Sequence, residues 1–450
     1  MKKSLFFVAA AALALTACSS DNEVTQNAIQ QAAPQAVAFD TYVPTTTRAG
    51  AAGVMTTSTL QGTGFGVFAQ YSNGSGSTDG AYNNDPDATS HTIPVANFMC
   101  NQEVTYSTAA WAYSPLKYWP NETDNDSQGG TDGNATSTHA DKLSFFAYAP
   151  YVSAGSGTAG ITSMIANTAY GADPWVQYSV ATTPTESVDL LWGVAPSGGL
   201  SYTNVAGGTT TVTKGMPLVD LIKPKKDEKI KFLFQHALAR LGLTVVAAFD
   251  QIAPGGEPSN TTKIAVKSVV ITETTNDGAT PTPTPTPQLK TSGKLNLKNT
   301  TSFQSLWSET SGTINFTIDG ANLNPDIAYK TNTATTYTDV AGVTTTEKKV
   351  IAPTVTPAHD NYFMVIPNHA DTQLQVVITY DVITADANLK GGYSEVENVI
   401  TKKVTIPTLT NNKAYNLKLV LGLTSVKLDA EVAEWKTDGG TETYLPQNVE

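Results

Sequence analysis

Two residues of this chain are placed for covalent chemistry that other proteins would carry out on it. Cys18 closes the run Leu15-Thr16-Ala17-Cys18, behind Lys2, Lys3 and a short apolar stretch from Leu5 to Leu15. Small residues ahead of a cysteine suit a peptidase that cuts before the thiol and an enzyme that then acylates it. Residues 1–17 therefore read as a lipoprotein signal peptide and Cys18 as the lipidation site. An ordinary secretory signal with an incidental cysteine is the alternative. Several acyl chains, at ~0.8 kcal/mol per buried CH₂, would hold the mature chain on a membrane. The second residue is Arg48. It is the only lysine or arginine between Lys3 and Lys117, and the chain has one other arginine, Arg240. Pro44 and then Thr45-Thr46-Thr47-Arg48-Ala49-Gly50 read as an exposed, extended stretch. An arginine-specific protease would find its bond between Arg48 and Ala49, which makes residues 18–48 a propeptide.

Other residues capable of chemistry lack the spacing that chemistry needs. The five histidines, His91, His139, His236, His359 and His369, form no H-E-x-x-H or similar metal pattern. His236 sits in an apolar run, where a structural role is the default. There is no G-x-S-x-G elbow and no P-loop. Gly62-Thr63-Gly64-Phe65-Gly66 opens a strand, so no helix N-terminus waits there for a phosphate. Asp124-Asn125-Asp126 begins like a calcium loop, but position twelve is Ala135 where a bidentate glutamate is required. Cys100 has no thiol partner once Cys18 carries lipid, and reads as a small buried apolar residue. No enzyme, no cofactor and no metal site are expected.

The composition narrows the class. A net charge of −12 repels phosphate backbones and disfavours nucleic acid as a partner. Charged residues are only 15% of the chain, too few for solvent-laced helical bundles, while threonine and glycine are plentiful. No apolar run reaches the ~20 residues of a membrane-spanning helix. With 450 residues the chain can hold two or three domains.

The elements that must position Cys18 and Arg48 are read from alternation. Residues 19–35 are a polar tether. In Ala36–Val43, Val37, Phe39 and Val43 share one face, and Asp40 and Tyr42 the other. Gly64–Tyr71, Leu143–Tyr151 and Asp189–Gly193 are β-prone, separated by Asn/Gly/Ser/Thr-rich stretches. Lys231–Gln235 reads as a strand passing into one short helical turn before Leu241, and the domain boundary is placed there. Further on, Leu374, Val376, Ile378 and Tyr380 share a face, as do Tyr415, Leu417, Leu419 and Leu421. Thr280–Pro287 is a Thr-Pro repeat, read as a polyproline II loop between strands. The expected fold is all-β: antiparallel sandwiches over residues 49–236 and 237–450.

If Ala36–Val43 completes a sheet, burying Val37, Phe39 and Val43 is worth on the order of 5–9 kcal/mol. Cleavage after Arg48 would let this strand leave and open an apolar groove beside unpaired backbone groups. A strand from another copy could fill it, giving a head-to-tail contact that grows a filament. Candidate donors lie near the C-terminus: Ser425–Trp435, in which Val426, Leu428, Ala430 and Val432 share a face, ending at Trp435, or the tail Thr441–Val449. The alternative is that 36–43 is simply the first strand of a stable monomer.

At these residues the chain resembles the fimbrillin family of the Bacteroidetes, subunits of type V pili. The resemblance is carried by the lipobox, Phe39-Asp40-Thr41-Tyr42 followed by Thr47-Arg48-Ala49, Gly64-Phe65-Gly66-Val67-Phe68-Ala69, Asp189-Leu190-Leu191, and Phe234-Gln235-His236-Ala237-Leu238. Ser19-Ser20-Asp21-Asn22-Glu23 also resembles the surface-export signal of Bacteroidetes lipoproteins. The resemblance implies two transthyretin-like β-sandwich domains in tandem, lipoprotein export, arginine-protease cleavage at Arg48–Ala49, and polymerisation with other pilus subunits by donor-strand exchange. Pro446 and Glu450 depart from a good terminal strand. A competing reading is a monomeric surface lipoprotein that binds glycans on tryptophans such as Trp111, Trp119 and Trp175.

Overall fold

Among the described residues the regular secondary structure is almost entirely strand. The first part contains β1 (Phe39–Tyr42), a short helix α1 (Thr57–Thr63), β2 (Phe65–Ser72), β3 (Met99–Ser107), β4 (Ala110–Ala112), β5 (Lys142–Ala149), β6 (Gly160–Met164) and β7 (Trp175–Ser179). There follow β8 (Leu191–Val194), β9 (Leu200–Thr203), β10 (Thr209–Val212), β11 (Leu218–Ile222), β12 (Ile230–His236), β13 (Ala239–Ala247) and β14 (Thr262–Glu273). Next come β15 (Ser292–Asn296), β16 (Trp307–Ser311), β17 (Asn315–Asp319) and the two-residue strands β18 (Tyr329–Lys330), β19 (Tyr337–Thr338), β20 (Thr344–Thr345) and β21 (Val350–Ile351). The last are β22 (Tyr362–Val365), β23 (Thr372–Ala385), β24 (Tyr393–Ile406), β25 (Lys413–Leu421), β26 (Val426–Glu434) and β27 (Leu445–Gln447). This computed structural model describes residues 35–42, 55–72, 82, 94–120, 141–153, 160–169, 172–205, 208–247, 262–274, 288–298, 306–319, 329–330, 337–338, 344–345, 350–351, 362–367, 370–386, 388–389, 393–421, 426–434 and 445–447. All lie in the contact unit Gln35–Glu450, which is distinct from Met1–Pro34.

The largest sheet runs β1-β12-β8-β5-β2-β3-β4, with β11 also on β5. Its central strands are buried on both faces, because alternate residues enter two separate cores. Phe65, Val67, Phe145, Ala147, Phe232 and Phe234 point into one core, which Leu60 of α1 and Leu200 and Tyr202 of β9 also enter. Phe68, Phe146, Tyr148, Trp192 and Leu233 point into the other. That second core continues into strands from later in the chain, including Leu374, Val376, Ile378 and Tyr380 of β23 and Tyr415, Leu417, Leu419 and Leu421 of β25. Both of these expected faces are therefore inward.

Two later sheets, β22-β13-β25-β26-β27 and β17-β14-β23-β24, share this core, and a third, β16-β15-β7-β6, joins strands from before and after β12. Ser292 to Asn296 of β15 pairs antiparallel with Ser179 to Trp175 of β7. Most ladders are antiparallel, as expected, but β1–β12 and β13–β25 are parallel. The helical turn expected after Gln235 does not form. Ala237 and Leu238 are instead a brief crossing between β12 and β13, because their backbone groups are taken by neighbours. The Ala237 N–H donates to Leu190 O (2.8 Å), and Leu238 O accepts from Asn412 N (3.0 Å).

Helix α1 is set by its ends. Thr56 and Thr59 form a reciprocal capping box, and Gly64 closes the helix at φ 68°. A Cβ on Gly64 would also lie 2.6 Å from Val104 O, so glycine is required twice over. Gly66, two residues on, makes room for a neighbour: a Cβ there would sit 2.3 Å from the Tyr148 ring. That ring cannot swing aside easily, since its hydroxyl lies 2.6 Å from Asn101 Oδ1 and 3.1 Å from Val152 O. Gly66→Ala is therefore expected to lower stability by roughly 1–3 kcal/mol, measured as a lower urea midpoint at unchanged slope.

Candidate functional site

The site grows from Val37 and Phe39. Their alternation sends both side chains inward, 1% and 2% exposed, while the Asp40 carboxylate stays outside and accepts from Thr41 N at 2.9 Å. The Phe39 ring lies in an aromatic cage. It stacks on Phe232 at 6.0 Å and meets Phe65 (6.1 Å) and Phe145 (5.9 Å) edge-on. Tyr113 closes the cage at 5.4 Å. Such ring pairs add about 0.5–1.5 kcal/mol each beyond their buried area.

The ribbon's backbone is gripped from two sides. On one, β1 runs parallel to β12 from Phe39↔Ile230 to Tyr42↔Leu233, and Ile230 N donates to Ala38 O at 2.7 Å. On the other lies the segment after β4. Val37 N donates to Lys117 O, and Trp119 N donates to Gln35 O, both at 2.9 Å. The Tyr113 hydroxyl donates to Val37 O at 2.8 Å, and the Gln35 amide donates to Lys226 O at 3.2 Å. Burial pushes the Tyr113 phenol up from its ordinary value, so it remains a donor at neutral pH. This second wall has no periodic signature in the sequence, and sequence reasoning missed it. Its outer side carries Leu116 and Tyr118, both exposed.

Downstream of the expected scissile bond, the chain is fixed again at Met55. Met55 N donates to Asp189 Oδ2 (3.0 Å), the same oxygen that lies 2.6 Å from His236 Nδ1, and Asp189 Oδ1 accepts from Leu190 N (2.8 Å). His236 is thus part of a buried structural pair. Residues 43–54 connect two anchored points, Tyr42 in β1 and Met55 on Asp189. Cys18, Val43, Arg48 and Ala49 lie outside the described residues, as does the Tyr42 side chain. The other arginine is held between two neighbouring strands near the start of β13. Arg240 of β13 pairs with Met364 on one side and Ala414 on the other, and its guanidinium lies 3.8 Å from the Tyr362 ring centroid. A protease needs an extended, accessible segment, which this bond does not offer.

At the far end, β26 is already a sheet strand. It pairs with β25 over nine positions, from Lys413↔Glu434 to Leu421↔Val426, which places the backbones of Val426, Leu428 and Val432 in that ladder. β27 pairs with β26 over three positions only. Trp435, the loop 124–135, the repeat 280–287 and His91, His139, His359 and His369 lie outside the described residues.

Among the described residues no group of three or more His, Cys, Asp or Glu could hold a metal ion. Cys100 is half-buried, and burial pushes its thiol up, away from reactivity. The tryptophans are largely spent on packing. Trp119, Trp192 and Trp307 are buried, Trp111 meets Phe65 (4.9 Å) and Tyr106 (5.1 Å), and Trp175 carries the Lys294 ammonium at 4.3 Å. The chemistry this site can do is to hold one extended strand through two walls and one aromatic pocket.

No family model matches the chain. The fimbrium subunit Fim1C of Phocaeicola vulgatus is 23% identical to it in an alignment of 452 positions that covers 98% of each chain. The crystal structure of a fimbrial protein from Bacteroides vulgatus aligns with a TM-score of 0.54 at 18% identity, over 89% of this chain and 100% of that one. Over 98% of its length the chain is thus similar to a Bacteroidales fimbrium subunit, and over 89% it shares the fold of a Bacteroidales fimbrial protein.

Proposed function

We propose that this protein is a structural subunit of a type V pilus, made as a lipoprotein acylated at Cys18 and serving adhesion at the cell surface. An arginine-specific protease cuts the Arg48–Ala49 bond, β1 departs with the propeptide, and a strand from another subunit takes its place. The observation that carries this reading is the burial of Val37 and Phe39 in a segment upstream of that bond. Burying these two side chains is worth ~3–6 kcal/mol, a large share of the ~5–15 kcal/mol net stability of a typical domain. A strand so well held is released only when its covalent link is cut, and its slot then favours a replacement. Cutting at Arg48 and not at Arg240 follows from the locking of Arg240 in β13.

The donor comes from the C-terminal end. The tail at β27 gives up three ladder positions, and the Val426, Leu428, Val432, Trp435 stretch would give up nine to β25 besides the three to β27, so the tail leaves more readily. The body is read as tandem transthyretin-like sandwiches, residues 49–236 and 237–450, with the seam where β12 hands over to β13. The glycan-binding reading is not favoured by any tryptophan described above.

Incubating the purified precursor with an arginine-specific protease is expected to yield SDS-resistant ladders that are absent for Arg48→Ala. Fully cleaved protein that stays monomeric at high concentration would contradict the mechanism. A second measurement isolates the ribbon itself. Phe39→Ala is expected to cost the uncleaved chain about 3–5 kcal/mol in denaturant unfolding. The same variant should match the parent once polymerised, because residue 39 has by then left the subunit.

A further inference from the structure

Among the described strands the outermost members of the sheets are short, with one exception. β1, β4, β6, β16, β17, β22 and β27 run three to five residues. β24 runs 14, pairs without a register break from Tyr393↔Ala385 to Ile406↔Thr372, and stands at the end of its sheet. Proteins usually blunt such edges by shortness, bulges, proline or charged side chains. β24 has only the charges, and it exposes Val396 (57%) and Val399 (60%), the two most exposed large apolar side chains of the described residues. β26 of the neighbouring sheet passes close to it but shares no ladder with it.

The charges on this strand are ordered. Glu395 and Glu397 stand in its first half, Lys402 and Lys403 in its second. Laid antiparallel on a second copy of itself with Val399 on the two-fold axis, β24 sets Glu395 opposite Lys403. The same register sets Glu397 opposite Thr401 and Val396 against the alkyl stem of Lys402. Glu397 keeps its bond to Lys267 within its own subunit, and Glu395 and Lys403 also keep interactions of their own there, so the cross-axis pair adds to existing contacts. A parallel in-register pairing would put each glutamate against its twin. The charge order therefore selects one orientation as well as one partner.

We propose that β24 is a self-complementary edge through which two copies of this chain pair side by side, joining β17-β14-β23-β24 to its image in one continuous sheet. The contact is isologous and closes on itself, so it adds no length to a filament and ties two subunits laterally. It needs neither the cut at Arg48 nor an open β1 slot.

The test uses the full, uncleaved chain in detergent, which excludes head-to-tail growth. Sedimentation should show a monomer–dimer equilibrium that weakens as salt is raised. Glu395→Lys alone, and Lys403→Glu alone, should each weaken the dimer roughly tenfold, since the pair occurs twice across the axis. The combined swap should restore it, which also controls for misfolding. Val399→Cys should give a disulfide-linked dimer mapped by mass spectrometry to position 399 of both copies. A strict monomer at about 1 mM, or a dimer indifferent to the single swaps, would overturn the proposal.

Discussion

The structure depends on one aromatic side chain reaching its cage from a segment upstream of the proposed cleavage site at Arg48. Phe39 touches strands β2, β5 and β12 and the hydroxyl-bearing ring of Tyr113, so a single ring joins both walls of the slot. While the chain is intact, β1 is tethered beside its own site and its effective concentration there exceeds that of any free strand. Cutting the tether removes that advantage and leaves the contacts themselves unchanged. A competing strand then meets the incumbent on equal terms. The walls also dictate direction, because any replacement that reproduces these backbone bonds must run parallel to β12 and antiparallel to Lys117–Trp119.

Loss of β1 need not unravel the body. The large sheet faces two cores, and Val37 and Phe39 belong to only one of them. The other core runs on into β23 and β25 and contains neither residue. β12 loses β1 at its outer edge but keeps β8, from Leu233↔Val194 to His236↔Leu191. On the downstream side, Asp189 and His236 hold Met55, so the chain after the cut stays fixed where α1 begins. The departure is therefore confined to one corner of one core. That corner is left with exposed aromatic surface and an open backbone edge, the two features that recruit a strand.

The parts of this arrangement written in local alternation were legible in the sequence. Val37 and Phe39, and the inward faces of β23 and β25, follow from period-two spacing alone. What period two cannot reveal is which strand lies beside which. The parallel sense of β1 on β12, the wall at Lys117–Trp119 and the pairing of β7 with β15 are contacts between distant residues, and no local pattern records them. The helical turn expected after Gln235 failed for the same reason. Ala237 and Leu238 favour a helix locally, but Leu190 and Asn412 claim their backbone groups, and tertiary bonds outweigh a propensity of a few tenths of a kcal/mol. Asp189 shows the converse limit. The sequence marks it as one member of an apolar knot, while its part in holding Met55 appears only when residues 134 positions apart are brought together.

The two notable edges of this molecule solve opposite problems. At β1 the edge is covered by a strand of the same chain, buried deeply enough that no other strand can compete while the link is whole. Covering an edge this way hides both its backbone groups and its apolar groove, and in the proposed mechanism only the cut at Arg48 uncovers them. At β24 no strand of the described residues pairs with the outer backbone edge, though β26 passes close, and its exposed large apolar side chains are Val396 and Val399, set among charges. An edge of that kind discriminates among partners, because the parallel in-register pairing sets glutamate against glutamate and lysine against lysine, whereas the antiparallel one sets glutamate against lysine. It admits only a partner whose charges run in the complementary order, and the antiparallel copy of the same strand has that order. Specificity at β1 thus comes from a pocket and a tether, and at β24 from charge order along an open backbone.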